Sequence, residues 1–257
     1  MIPKIIHYVW LGGNPLPADM QRCIDSWKRF MPDYEIMEWN DERIQQIDSI
    51  FMQEAIAERK WAFVSDVVRL YAIANYGGIY LDTDVEVFKS FDSLLQYPAF
   101  IGRESSMHLK GRRTINYVTT CSFGAEPNNP FINQCLAYYS GRHFIQSHDA
   151  SLPTELRLDI RLNSEIFTIL LDQLGYNPSV LKNEFQNCGS IVVYPAEYFD
   201  PNVAQPNSYS KHLALGTWRE SKRQEEVYTL KYKIQWRLWR VVAIILRRYN
   251  RMIVKLK

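Results

Sequence analysis

The stretch from Lys60 to Lys89, KWAFVSDVVRLYAIANYGGIYLDTDVEVFK, limits the possible folds more than any other part of the chain. From Trp61 to Tyr76 the apolar residues Phe63, Val64, Val67, Val68, Leu70, Tyr71, Ile73 and Ala74 circle almost the whole of a helix rather than one stripe of it. That is the pattern of a buried helix. Gly77 and Gly78 supply the left-handed residue that closes a helix. Ile79-Tyr80-Leu81 then starts a strand too apolar for an exposed edge.

Polar residues break this background at two places. Asp66 and Arg69 stand three apart on the helix and share a face. Asp82 and Asp84 stand two apart at the end of the strand, so extended backbone turns both to one side. Two carboxylates on one side repel, and burial raises that cost. A divalent cation removes the conflict, and hard oxygen ligands suit Mg²⁺ or Mn²⁺. The carboxyl end of a strand in an α/β sheet is also where ligands bind. Read alone, Asp-Thr-Asp equally describes a solvated turn, and Asp66–Arg69 an internal ion pair. The combination with the buried helix, the double glycine and the apolar strand favours a site.

The segment SDVVRLYAIANYGGIYLDTDV resembles the core of glycosyltransferase family 32, sugar transferases of the Asp-x-Asp (DXD) type. The opening IPKIIHYVWLGGNPLP and the late HLALGTW resemble the family's first strand and closing motif, and the three occur in the family's order across residues 1 to 220. The resemblance implies an α/β fold of GT-A type, a single domain with a mixed, mainly parallel central sheet flanked by helices. It implies a metal-dependent, retaining hexosyltransferase working on a nucleotide-sugar, with a UDP-sugar favoured. Asp84 is then the first metal ligand and Asp82 holds the donor ribose or the metal. Asp66 and Arg69 orient the donor sugar and phosphate, with Tyr80 beside them or in the core. By the same resemblance Trp10 lies near the nucleotide base and Asn163 lines the donor site. A core tryptophan and a helix N-cap are the competing roles. His212, Thr217 and Trp218 would close over the diphosphate, His212 as a third metal ligand or as an ordinary hydrogen-bonded histidine.

The rest of the chain fits that class. Strand (Lys4–Leu11), helix (18 to 30), strand (Tyr34–Trp39) and a helix capped by Asn40 or Asp41 give the rhythm of a mainly parallel sheet. Further strands are expected at Ala99–Gly102, Tyr117–Ala125 and Ser190–Tyr194, and helices at Pro130–Ser140 and Asn163–Leu174. Ser105–Asn116, with Lys110, Arg112 and Arg113, reads as a basic surface loop. Hydrophobic residues make up 47% and aromatics 14%, enough for a sizeable core and against wholesale disorder. Four scattered cysteines with no Cys-x-x-Cys argue against a zinc site or a disulfide framework and fit a reducing compartment. The N-terminal apolar run is too short and too aromatic for a signal peptide.

A net charge of +2 hides a division within the chain. After Glu226 come nine Lys or Arg and no acid; the 21 bases and 28 acids before it leave −7. From Lys231 onward the sequence reads as one helix with a basic face opposite an apolar one that carries tryptophan, a form that lies in an anionic membrane interface. The apolar face would also fit the domain itself or a second copy in a homodimer, but not a nucleic acid. The expected organisation is a catalytic domain over residues 1–222 and a basic amphipathic membrane-association tail over 223–257. The expected setting is peripheral, on the cytoplasmic face of the plasma membrane. The expected acceptor there is a glycan, lipid-linked, in cell-surface polysaccharide synthesis. Two other readings compete: a different metal-dependent transferase acting on nucleotides, and a non-catalytic membrane-docked binding protein of the same fold.

Overall fold

A computed structural model describes residues 1–110 and 113–216. Residues up to 215 form a larger unit from which His143–Ile160 separate as part of a smaller one. In the smaller unit a one-turn helix, Thr154–Arg157, follows an irregular segment. An isolated bridge joins Ile145 to Leu158, and the Gln146 amide donates to the Arg157 carbonyl at 2.6 Å.

In the larger unit the elements follow in order β1 (Ile5–Val9), α1 (Ala18–Phe30), β2 (Glu35–Trp39), α2 (Ile50–Ala57), α3 (Trp61–Tyr76), β3 (Gly78–Leu81) and β4 (Val85–Val87). Then come β5 (Ala99–Arg103), β6 (His108–Lys110), β7 (Arg113–Ile115), β8 (Val118–Ala125), α4 (Pro130–Ala137), α5 (Asn163–Asp172), β9 (Gln186–Cys188), β10 (Ile191–Tyr194) and β11 (Ser210–His212). Seven strands form one sheet in the order β2-β1-β3-β8-β5-β10-β9. The pairs β2–β1, β1–β3 and β5–β10 are parallel; β8 and β9 run against their neighbours. Five of the seven strands therefore point the same way, which is the mixed, mainly parallel sheet expected.

Nine of the sixteen residues of α3 are buried. Each of its buried Val, Leu and Ile side chains contributes about 1.5–3 kcal/mol relative to exposure. Both glycines after it adopt positive φ, at 63° and 99°. A side chain at Gly78 would lie 2.6 Å from the Ile5 carbonyl oxygen, so the chain can enter β3 this close to β1 only without one. Within β3, Ile79 and Leu81 join the cluster of Trp27, Val85, Phe91, Phe100 and Phe199, whereas Tyr80 packs on Phe123. Phe123 and Phe131 in turn meet Phe167 of α5.

Three local expectations differ in detail. Asn40 Oδ1 accepts from the Arg43 amide ahead of a 3-10 turn at Arg43–Gln46 whose N-cap is Glu42, while Ser49 caps α2. The segment 105 to 116 is not a simple loop: His108 pairs with Ile115, Leu109 with Thr114 and Lys110 with Arg113, making a β6–β7 hairpin. Its polar composition masked the alternation that lets it pair. The helices that begin at Pro130 and Asn163 end a few residues early. The 222/223 boundary and the helix from Lys231 lie outside the described residues. No helix among the described residues is long and apolar enough to cross a membrane.

Candidate active site

The site is built where β3 leaves the sheet. Asp82 donates its amide to the Cys121 carbonyl at 2.8 Å, and a tight turn follows in which the Val85 amide donates to the Asp82 carbonyl at 2.9 Å. That turn brings Asp84 round to the start of β4. There β4 pairs antiparallel with β11, setting Val85 opposite His212, and the Leu213 amide donates to the Asp84 carbonyl at 2.9 Å. One carboxylate oxygen of Asp84 then lies 3.2 Å from His212 Nε2, and the other accepts the Leu215 amide at 2.9 Å. Asp82, Asp84 and His212 each present a ligand atom within 4.8 Å of the other two.

Arg69 stands behind Asp82. Its Nη2 is 3.3 Å from both Asp66 Oδ1 and Asp82 Oδ1. The rest of the guanidinium is held by the protein: Nη1 donates to the Thr120 carbonyl, Nη2 to Ser65 Oγ and Nε to the Ser65 carbonyl. Arg69 also lies over the Tyr80 ring, 4.6 Å from its centroid. The buried Tyr80 hydroxyl donates to Asp82 Oδ1 at 2.7 Å. Asp82 Oδ1 is therefore fixed by two partners, leaving Oδ2 for a ligand.

Burial raises Asp66, and Asp82 adds to this; Arg69 opposes it, and the carboxyl settles at about 6. For Asp84, burial favours the acid, but His212 and the Leu215 amide outweigh it and lower the pKa. For His212, burial disfavours the imidazolium, yet Cys121 and Asp84 beside the ring raise it to about 12. Burial keeps Cys121 itself as the thiol, so the charges facing the ring are carboxylates, Asp84 at 3.2 Å and Asp82 within 4.8 Å among them.

Two carboxylates and an imidazole suit a divalent cation of the Mg²⁺–Mn²⁺ class. The donors fit geometrically as well, because they converge from a turn and a ladder that are hydrogen-bonded along their length.

Trp10 follows β1 at the sheet edge from which Asp82 emerges; it is half-buried, and its Nε1 donates to the Asn14 carbonyl at 2.7 Å. Asn163 opens α5, and its Nδ2 donates to the Asp66 carbonyl at 3.4 Å. Its Oδ1 is buried without a hydrogen-bond partner. The Leu162 N-cap makes no side-chain capping bond, so Asn163 is the first helical residue and not the cap. Thr217 and Trp218 lie outside the described residues. The structure thus gathers Asp66, Arg69, Tyr80, Asp82, Asp84, Asn163 and His212. Sequence reasoning missed Ser65, one helical turn before Arg69, and also Cys121, the Thr120 carbonyl and the Leu215 amide, whose roles arise from strand register and leave no local motif.

The family model described as the glycosyltransferase sugar-binding region containing the DXD motif matches residues 17–101. Residues 17–101 thus resemble the sugar-binding region of DXD-containing glycosyltransferases. Inositol phosphoceramide mannosyltransferase 3 of Schizosaccharomyces pombe is 37% identical over 112 residues, 40% of this chain and 30% of that protein. An uncharacterized glycosyltransferase of Acanthamoeba polyphaga mimivirus is 25% identical over 233 residues, covering 84% of this chain and 86% of its own. Among solved structures, the PaToxG glycosyltransferase aligns with a TM-score of 0.46 at 24% identity, over 67% of this chain and 69% of that one. The match spans less than a third of the length of the fission-yeast mannosyltransferase. The matched region includes α3, β3 and the whole Asp-x-Asp turn; His212 joins it from outside.

Proposed function

We propose that this glycosyltransferase region serves a metal-dependent, retaining hexosyl transfer from a nucleotide-sugar to a lipid-linked glycan acceptor, with UDP-sugars the favoured donors. The observation that carries this reading is the convergence of Asp82, Asp84 and His212 within 4.8 Å at the carboxyl end of β3. The three would hold Mn²⁺ or Mg²⁺, which when bound supplies the positive charge that a departing diphosphate requires. Tyr80 and Arg69 keep Asp82 turned toward that position. Asp66, buried and held by Arg69, offers its carboxyl to donor hydroxyls, and the unpartnered Asn163 Oδ1 offers a second acceptor beside it. Trp10 provides an aromatic surface for the base, and Thr217 and Trp218 would close the diphosphate from the far side.

The acceptor reading draws on the fission-yeast relative, whose name makes a sphingolipid its acceptor, and on the nine bases after Glu226. Those bases would hold the protein on the cytoplasmic face of a membrane. Deletion of residues 227–257 is expected to move it from the membrane to the soluble fraction; unchanged fractionation would reject that role.

The reaction is tested by release of nucleoside diphosphate from UDP- and GDP-sugars, with and without Mn²⁺. Metal-dependent release from one donor is expected, falling by about 10²-fold or more in Asp84→Asn, as for the loss of one preorganised charge-stabilising group. A variant as active and as metal-dependent as the wild type would remove Asp84 from the site. Donor-induced thermal stabilisation in Mn²⁺ covers the case in which turnover needs the true acceptor.

A further inference from the structure

The β6–β7 hairpin and the short 3-10 turn Val180–Lys182 carry apolar side chains where water should meet polar ones. Leu181 is 89% exposed, Leu109 84% and Met107 70%. Apart from the N-terminal Met1, Leu181 and Leu109 are the most exposed large apolar side chains among the described residues. Single exposed leucines are ordinary, but these belong to one joined structure. A bridge between Ile115 and Ser179 sets the 3-10 turn alongside the hairpin. Buried Arg103 holds the turn through the carbonyls of Lys182, Pro178 and Ser179. The base of the hairpin is fixed too: Asn116 Nδ2 donates to the Glu104 and Ser106 carbonyls, and the Ser105 amide donates to Asp200 at 2.9 Å. The leucines are therefore presented by anchored backbone.

Position and charge point to the occupant. The hairpin rises directly after the carboxyl end of β5, which runs parallel to β3, so it stands on the edge of the sheet that carries Asp82 and Asp84. Exposed Arg113 belongs to the hairpin, Lys110 adds a further base to its sequence, and the turn carries Lys182, whose ammonium lies 3.5 Å from Glu184. Apolar side chains flanked by bases are the composition that enters the interface of an anionic bilayer.

We propose that Met107, Leu109 and Leu181 form a lip that inserts into an anionic lipid surface and sets the mouth of the site at the depth of a lipid-linked acceptor. This rests on the lipid-acceptor reading but is separable from it. The four native cysteines are buried, so Leu109→Cys and Leu181→Cys offer single labelling sites in the full chain. Each would carry an environment-sensitive fluorophore, with Asp19→Cys, exposed on α1, as control. Vesicles of phosphatidylcholine with phosphatidylinositol should shift emission at 109 and 181 to shorter wavelength and raise its intensity. Phosphatidylcholine alone should not, and the control should stay unchanged. No shift at either site, or an equal shift with neutral vesicles, overturns the proposal. Leu109→Ser with Leu181→Ser should keep metal-dependent donor hydrolysis while losing transfer to acceptor lipid in vesicles. Absence in the wild type of both donor hydrolysis and donor-induced stabilisation in Mn²⁺ would defeat the sugar-transfer reading and leave the fluorophore result standing.

Discussion

Tyr80, left by the sequence between the donor site and the core, serves both: its hydroxyl reaches Asp82 Oδ1 at 2.7 Å while its ring packs on Phe123 and under Arg69. A single atom is thus the difference between packing and site geometry, and Tyr80→Phe isolates it. The ring should stay in place. Loss of one buried hydrogen bond should cost about 1 kcal/mol in urea unfolding. Half-saturation of donor hydrolysis by Mn²⁺ should need roughly tenfold more metal, the low end of what loss of a ligand-orienting partner does. An unchanged Mn²⁺ requirement would show that Arg69 alone suffices to orient Asp82.

The three-residue strand β4 makes the meeting of Asp84 with His212 possible, and one strand alone could not hold it. Its odd edge faces β11: the Phe88 amide donates to the Tyr209 carbonyl and the Leu213 amide to that of Asp84. Its other edge is satisfied by helix α1. Trp27 Nε1 donates to the Val85 carbonyl at 2.7 Å, and the Val87 amide donates to Ser26 Oγ at 2.9 Å. Helix side chains thereby replace the neighbour strand that an edge otherwise lacks. Ser26→Ala leaves the buried Val87 amide unpaired. The expected cost is about 1–3 kcal/mol in chemical denaturation, with a weaker Mn²⁺ response because β4 loosens beneath Asp84. A variant as stable as the wild type would mean that water or a shifted α1 replaces the bond.

Over the whole molecule, acid sensitivity should be governed in part by a histidine remote from chemistry. His7 is fully buried in β1; its Nε2–H donates to the Gly77 carbonyl at 2.8 Å and its Nδ1 accepts from Trp39 Nε1 at 3.1 Å. The bond from Trp39 requires the neutral ring, and burial pushes its pKa down to about 4 against the opposing pull of the Gly77 carbonyl. Between about 6.5 and 4 the unfolded chain binds the proton and the folded chain does not. Stability from this group is therefore complete above about 6.5 and declines as pH falls through that window, by roughly 3 kcal/mol in all. Asp66, raised to about 6, acts in the opposite sense between 3.8 and 6 and partly offsets the decline. Unfolding free energy measured against pH should fall less steeply in His7→Gln, whatever that variant's stability at neutral pH. Parallel curves would assign the acid response elsewhere.

The local code was legible wherever a pattern repeats within a few residues. The all-round apolar helix α3, the glycine pair and the pleat of β3 set both the α/β class and the position of Asp82 and Asp84, because helix period, positive φ and strand alternation act between near neighbours. The basic segment 105 to 116 carried a readable alternation as well, hidden by its polarity. What the residues near the Asp-x-Asp turn could not specify is its company. The Leu215 amide reaches Asp84 from 131 residues away, and His212 arrives through the same ladder. That register is chosen by burial of Val85 and Val87 and by the hydrogen bonds of α1, cooperative terms summed over the fold. Sequence alone therefore supplied the two carboxylates and Arg69, and by resemblance named Tyr80 and His212; tertiary structure decided that Arg69 and Tyr80 both turn to Asp82 Oδ1 and that His212 meets the two carboxylates within 4.8 Å.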